Sequence, residues 1–279
     1  MAKIISKEEI ANQTYSMYVH TPLIAKKCKP GQFVVIRLDE KGERIPLTIA
    51  NFDRNEGNIR LVFQVVGKTT LKLSRYGVGK DISDITGPLG NPSEISNYGT
   101  VVMVGGGVGI APIYPIARAL KEVGNEVITI LGARSKSLLI MEEDLASVSD
   151  ELLISTDDGS KGKKGFVTDV LKELLDSGKN MARVWAIGPA IMMQFISELT
   201  VKYGVPTIVS LNSIMVDGTG MCGACRVNVG GETKFTCVDG PEFDGHKVDF
   251  KLLMERLSTY KREEKIALEN YEKRIRASG

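Results

Sequence analysis

Cys222, Cys225 and Cys237 are three of the chain's four cysteines, and with Asp217 they form the pattern D-x4-C-x2-C-x11-C. Thiolates spaced C-x4-C-x2-C…C hold a 2Fe–2S cluster, and Asp217 stands in the place of the first cysteine. Gly218, Gly220 and Gly223 give the loop the backbone freedom to bring amides close to a cluster's sulfides. Two other chemistries fit the same residues. A tetrahedral zinc site can be built from the three thiolates with Asp217 or His246, although the second close ligand pair usual for structural zinc is missing. Three buried or disulfide-paired cysteines need no metal at all.

A second stretch carries a different chemistry. Gly105-Gly106-Gly107-Val108-Gly109-Ile110-Ala111-Pro112 follows an apolar run at 100–104 and precedes a helical pattern over 110–123. A glycine loop between strand and helix lets the phosphates of a dinucleotide approach the backbone and the helix N-terminus. Position 110 is Ile, so the fingerprint G-x-G-x-x-G is incomplete, and a tight turn without a ligand is the plain alternative. Gly67-Lys68-Thr69-Thr70 is not a phosphate loop. Val62 stands where its earlier glycine belongs, and no helix is expected directly after it.

The elements that position these stretches fall into two patterns. Strand-like runs at 126–131, 151–155 and 183–187 alternate with helical patterns at 138–146, 167–175 and 191–203. That alternation predicts a parallel-sheet nucleotide-binding α/β domain over 99–210, with ligands at the carboxyl ends of its strands. Residues 1–98 instead show β-rich runs at 15–20, 32–38 and 58–66. Pro30-Gly31, Lys41-Gly42, Asn55-Glu56-Gly57 and Gly87-Pro88-Leu89-Gly90 punctuate them. Many short strands between turn signals predict a small antiparallel β-barrel. The fold class is β plus α/β, with the cysteine segment 211–246 as a small third unit. Residues 247–279 are mostly charged, with Phe250, Leu253, Leu257 and Tyr260 at helical spacing. A helix packed on its own protein and a helix that docks a partner both fit.

With 279 residues, 43% hydrophobic and 25% charged, the composition is that of a soluble globular protein of two domains and a small third. A net charge of +2 gives no argument for nucleic acid or an anionic membrane as a partner. The uncharged stretch 100–117 is broken by glycines, Pro112 and Pro115, against a membrane-spanning helix. The N-terminus lacks the apolar core of a signal peptide. Cysteines gathered in one metal-like motif suit a reduced, cytoplasmic setting, with Cys28 a plain partly buried thiol. His20 is a lone histidine at the surface or core edge.

Together these parts resemble the ferredoxin–NADP reductase superfamily with an iron–sulfur domain appended. The resemblance spans essentially the whole chain. It is most specific at 105–112, at Gly188-Pro189 and in the segment ending Cys237-Val238-Asp239-Gly240-Pro241. Within the superfamily it is nearest to the electron-transfer subunits of dihydroorotate dehydrogenase and the small subunits of NADH-dependent ferredoxin:NADP oxidoreductase. The resemblance implies FAD, a 2Fe–2S cluster and NAD(H) as cofactors. It also implies hydride exchange between nicotinamide and flavin, and single electrons passed through the cluster to a larger flavin and iron–sulfur subunit. Ferredoxin is then reached indirectly, as in flavin-based electron bifurcation. No catalytic acid or base is implied, because the flavin carries the chemistry.

Residue by residue, Pro46, Leu47 and Thr48 resemble the flavin strand R-P-[IL]-[ST], and Phe63, Gln64 and Val65 a second flavin strand. Thr69 and Thr70 resemble the pair that caps the pyrophosphate. Ile45 stands in the arginine's place and Arg44 one residue earlier. A one-residue shift turns a side chain to the opposite face, so Arg44 is expected to reach the pyrophosphate only through a bulge. For the dinucleotide the resemblance points to Gly106, Gly107, Val108, Gly109, Gly188 and Pro189, with Arg134 and Asp157 at neighbouring strand ends. An acidic residue suits a free ribose and an arginine a 2′-phosphate. Both are present; the resemblance favours NADH. Its cluster ligands are Asp217, Cys222, Cys225 and Cys237. Dihydroorotate-linked subunits carry cysteine at the first place, whereas aspartate is similar to the ferredoxin:NADP oxidoreductase small subunits; a sulfide dehydrogenase subunit is a further relative. The non-enzyme alternative is a zinc-stapled nucleotide-binding regulatory subunit.

Overall fold

The β-branched and aromatic runs of the N-terminal third form strands because such side chains pack well on a pleated surface. In the computed structural model, which describes residues 2–278, the strands are β1 (Ala2–Ala11), β2 (Thr14–His20), β3 (Phe33–Arg37), β4 (Arg44–Asp53), β5 (Asn58–Gln64), β6 (Asp81–Ile82) and β7 (Asp84–Leu89). Helix α1 (Pro22–Lys27) follows β2, and α2 (Lys68–Ser74) follows β5. Their order is β6-β1-β2-β5-β4-β3-β7, with antiparallel neighbours throughout. Only Ser83 separates the two edge strands, so the sheet curls until its edges meet, as a nearly closed barrel. Ile4, Met17, Val34, Ile36, Leu61 and Phe63 are among the side chains that fill it.

Two expectations change here. Helix α2 begins directly after Gly67, because Thr70 Oγ1 accepts the amides of Val66 and Gly67 at 3.0 Å each and caps the helix from within. Gly87-Pro88-Leu89 is the end of β7 rather than a turn. On an edge strand a proline forfeits no ladder bond, and a register shift opposite Phe33 and Val35 takes up the extra length.

The second lobe contains β8 (Thr100–Gly106), α3 (Ile110–Glu122), β9 (Glu126–Ala133), α4 (Glu142–Ala146), β10 (Glu151–Thr156), β11 (Lys163–Lys164), α5 (Val167–Asp176), β12 (Arg183–Ile187), α6 (Ala190–Thr200) and β13 (Thr207–Ser210). The strands are parallel in the order β11-β10-β9-β8-β12-β13. The chain moves outward from β8 and then returns to its other side. A crevice at such a reversal is where open α/β sheets bind ligands. The helix expected from 138 starts only at Glu142, because Met141 adopts a left-handed φ of 53°.

Ala50 and Val62 of the barrel are buried in the core around α3. Arg60 pairs with Asp144 at 2.8 Å, and Arg118 donates to Asn51 at 2.8 Å across the same junction. A partly exposed ion pair contributes ~0.2–1 kcal/mol, whereas a fully buried valine contributes ~1.5–3 kcal/mol. Apolar contact therefore holds the lobes together, and the polar pairs set their register.

The last quarter is not a separate body. The hairpin of β14 (Arg226–Val229) and β15 (Glu232–Phe235) leads into α7 (Thr236–Asp239). Then β16 (Glu242–Asp244) pairs antiparallel with β13 as a further strand of the large sheet. Helix α8 (Phe250–Leu257) buries Phe250 and Leu253 in the nucleotide-lobe core. The helical pattern breaks before Tyr260, which is exposed. Helix α9 (Lys261–Ser278) then lies along α2 of the barrel, with Ala267, Leu268, Tyr271 and Ile275 half-buried on one stripe. The tail thus packs on its own chain. Among the described residues no helix is long and apolar enough to cross a membrane.

Glu242 ties three parts together. Its Oε1 accepts Ser93 Oγ at 2.6 Å and its Oε2 accepts Trp185 Nε1 at 3.3 Å. The stem keeps some exposure, but the carboxylate is enclosed, and burial raises its pKa against the pull of Ser93, Trp185 and Arg183. A raised folded value means stability that is full below the ordinary glutamate range and is lost as pH rises through the raised value. Thermal unfolding followed by circular dichroism from about pH 4 to about pH 8 is expected to show that loss. Glu242→Gln keeps both partners, since the Ser93 hydroxyl can accept instead of donate, and is expected to flatten that part of the curve. An unchanged pH slope would show that the carboxylate stays ionised throughout.

Candidate functional site

The flavin-type residues start on β4. Ile45 and Leu47 pack into the barrel core, so Arg44, Pro46 and Thr48 share the outer face. Pairing with β3 is regular from Arg37↔Arg44 to Phe33↔Thr48. Arg44 therefore lies on the Thr48 face, opposite Ile45, with no bulge between them. On β5, Phe63 is buried and stacks on Tyr15 at 5.6 Å, and Val65 just past the strand packs on the core; of the three only Gln64 is exposed. Thr69 Oγ1 donates to Glu43 at 2.8 Å, and the Thr70 hydroxyl is committed to its own cap. Glu43, held below the usual carboxylate range by Lys68 and then Thr69, sits at the start of α2. No sequence motif marks it.

The nucleotide-type loops meet at the strand reversal. A Cβ on Gly109 would lie 2.6 Å from Gly188 Cα, and one on Gly188 would lie 2.6 Å from Met192 Cε and 3.0 Å from Gly106 O. The two loops pack backbone against backbone, which only glycine permits. Gly107 differs: its φ is +56° and its side-chain direction is open space. Val108 is exposed beside it, and Pro189 precedes α6. At the next strand ends, the amide of Asp157 donates to Ala133 O at 3.1 Å and that of Asp158 to Arg134 O at 3.2 Å. Arg134 and Asp157 are exposed side by side, and neither side chain is ion-paired among the described residues. Asp158, by contrast, is tied to Ser160, which lowers its pKa.

The thiol loop covers the outer face of β3. Cys225 and Cys237 are 2% exposed, their Sγ atoms 3.2 Å apart, in a pocket with Phe33, Val35 and Met215. Burial, then the neighbouring Cys225 thiol, pushes the Cys237 thiol up to about 12. Cys222 is exposed at the rim. Asp217 accepts the amides of Thr219 and Cys222 at 2.9 Å each, the former lowering its pKa most. Gly218, Gly220 and Gly223 all have positive φ. His246 is bonded instead to Thr200 Oγ1 at 2.9 Å, against α6, and Asp239 accepts the Phe235 amide. Among the described residues no three His, Cys, Asp or Glu side chains converge on one metal position. An inner thiol pair with an outer Asp217–Cys222 pair suits two irons better than one tetrahedral zinc, so the donor set fits a 2Fe–2S cluster.

A barrel packed against a parallel-sheet nucleotide lobe, with a thiol loop appended, defines a reductase of the ferredoxin–NADP reductase type carrying an iron–sulfur segment. Residues 103–198 match the oxidoreductase NAD-binding domain family, and residues 212–249 match the iron–sulfur cluster binding domain of dihydroorotate dehydrogenase B. The chain is 55% identical, over 96% of its length and 95% of the relative's, to a dihydroorotate dehydrogenase B (NAD(+)) electron transfer subunit homolog of Thermotoga maritima. It is 35% identical to the electron transfer subunit itself from Desulforamulus reducens, over 88% of this chain and 97% of that one. A chain from the solved structure of an NADH-dependent reduced ferredoxin-NADP oxidoreductase, described in connection with flavin-based electron bifurcation, superimposes with a TM-score of 0.93. It shares 54% identity over 97% of this chain and 98% of that one. The chain belongs to the family of dihydroorotate dehydrogenase B electron transfer subunits and their homologues.

Two substitutions test the site's parts. Gly107→Val adds a branched side chain in a left-handed position facing the open cleft. It is expected to raise the KM for NADH by about tenfold or more while the flavin spectrum stays intact; an unchanged KM would remove the loop from nucleotide binding. Thr48→Ala is expected to speed flavin loss on dilution, read by fluorescence of released flavin, and equal retention would count against the β4 face.

Proposed function

We propose that this chain is the flavin and iron–sulfur electron-transfer subunit of an NADH-dependent ferredoxin:NADP oxidoreductase, exchanging hydride with NAD(H) and serving a larger flavin and iron–sulfur subunit. When bound, FAD supplies two-electron exchange with nicotinamide and one-electron exchange with a 2Fe–2S cluster. The residues supply position. The outer face of β4 would orient the flavin ring through Thr48 and Pro46. The paired glycine loops would admit the dinucleotide, and Arg134 and Asp157 would meet its ribose end. Asp217, Cys222, Cys225 and Cys237 would hold the cluster.

The observation that carries this reading is that a single strand, β3, lies between the outer face of β4 and the thiol pocket. Thr48 is paired with Phe33, and Phe33 packs on Cys225 and Cys237. Neighbouring strands lie about 4.8 Å apart, so side chains of β3 alone fill the gap. Asp217 at the first ligand place favours the oxidoreductase over the dihydroorotate reading; identity is 54% to the oxidoreductase chain, 55% to the dihydroorotate dehydrogenase B subunit homolog, and 35% and 34% to dihydroorotate dehydrogenase B subunits themselves. The partner would cover the loop's rim, where Met221, Val216 and Val238 expose apolar surface beside Cys222. A cytoplasmic, reducing setting suits two thiols held 3.2 Å apart.

The purified chain is expected to be yellow-brown, to contain about one FAD and two irons, and to bleach with NADH. A colourless chain with stoichiometric zinc would sink the reading. Asp217→Cys is expected to keep the cluster with a changed electron paramagnetic resonance spectrum, and Asp217→Ala to lose iron within a purification. Parent-like spectra in both variants would take Asp217 off the metal.

A further inference from the structure

Two arginines outside the ligand set hold the same short step of the thiol loop. Arg226 Nη1 donates to Gly223 O at 3.1 Å, and Arg256 Nη2 donates to Ala224 O at 3.0 Å. Gly223 and Ala224 are the two residues between Cys222 and Cys225. In a trans peptide the C=O and the following N–H point in opposite directions. Holding these carbonyls on guanidinium groups turns the amides of Ala224 and Cys225 the other way, away from the two arginines. Among the described residues, the amides of Gly223, Ala224 and Cys225 donate to no protein acceptor. They stand ready for an acceptor that is not protein, and the amide of Gly220 already faces the Cys237 sulfur.

Arg256 is delivered by α8, a helix anchored independently of the loop. Asp249 caps it through the Leu252 amide at 2.9 Å, and Phe250 and Leu253 are buried beneath it. Arg256 is half-buried, whereas Arg226 is exposed, and neither is ion-paired among the described residues.

Resting on the cluster reading above, we infer that Arg256, with Arg226 in a lesser role, is a positioning residue that sets the cluster's reduction potential. Reduction adds one negative charge, and a cluster's potential follows its net charge and the hydrogen bonds to its sulfurs. A fixed cation beside the loop, and free amides oriented by it, stabilise the reduced form and raise the potential. The half-buried Arg256 charge is less screened than that of Arg226, so it weighs more. Helix α8 is thereby part of the redox apparatus and not only a packing element.

The test is a redox titration of the full-length, as-purified chain followed by electron paramagnetic resonance, with iron per chain measured alongside. Arg256→Gln is expected to weaken cluster reduction about tenfold, which for a one-electron couple is a midpoint about 59 mV more negative. Arg226→Gln is expected to move it in the same direction by less. Arg256→Lys, keeping the charge without the fork, is expected to fall between parent and Arg256→Gln. A parent-like midpoint in Arg256→Gln at full iron content overturns the inference, as does a larger shift from Arg226→Gln. If Arg256→Gln loses iron while Arg256→Lys keeps it, the midpoint of Arg256→Lys decides: a more negative value than the parent's supports the inference and a parent-like one overturns it. Iron loss in both reduces Arg256 to a packing role and overturns it. Failure of the cluster reading itself is told apart by the parent chain, which would then show no iron–sulfur signal.

Discussion

Strand β3 is buried on both faces, and the arrangement of the molecule depends on that. Val34 and Ile36 point into the barrel, while Phe33 and Val35 point into the thiol pocket. A slip of one residue would exchange the two sets and expel both cores at once. The entry to the strand is fixed accordingly: Gly31 takes a φ of +83°, and the Ser93 amide donates to Pro30 O at 2.9 Å. The loop answers from the other side. Gly218, at φ +77°, approaches so closely that a Cβ there would lie 2.7 Å from Leu89 Cδ1 and 3.0 Å from Val35 Cγ2. A larger residue would lift the thiol loop from the strand that links it to the outer face of β4.

The same economy of space governs the crevice between lobes. Two glycine loops from β8 and β12 touch without side chains between them, so the floor of the crevice is rigid backbone. Interlobe packing through Ala50 and Val62 sets this floor against the outer face of β4. Geometry of this kind lets a nicotinamide and a flavin ring meet without a catalytic acid or base, because orientation is what the reaction asks of the protein.

Much of this was legible in the sequence, and for definite reasons. The nucleotide lobe showed because its strands are continuous apolar runs and its helices have a clear period. Arg183–Ile187 lies where the pattern puts it. The thiol loop showed because ligand spacing is local. Strand β1 was opaque: Lys3, Lys7, Glu8 and Glu9 mask it, since much of it is exposed beyond Ile4. Helix α2 was hidden because its cap is a threonine inside the helix rather than before it. The face of Arg44 follows from the alternation along β4, which turns Ile45 to the core and Arg44 away from it. Glu43, Glu242 and Arg256 carry no motif. Their roles arise from elements distant in sequence, and no local pattern announces such contacts.

The chain has a single tryptophan, and it lies where the two lobes and the cysteine segment join. Trp185 is 1% exposed, its ring centroid is 5.9 Å from that of Tyr98, and the Arg183 guanidinium lies 5.6 Å above it. An indole in that position is a natural optical probe. Its emission is governed by one carboxylate, one cation and the dryness of the junction, and energy transfer to a nearby flavin would quench it. Separation of β16 from the sheet would wet the ring and shift its emission to the red, so the integrity of the three-way joint can be followed in unlabelled protein, in real time.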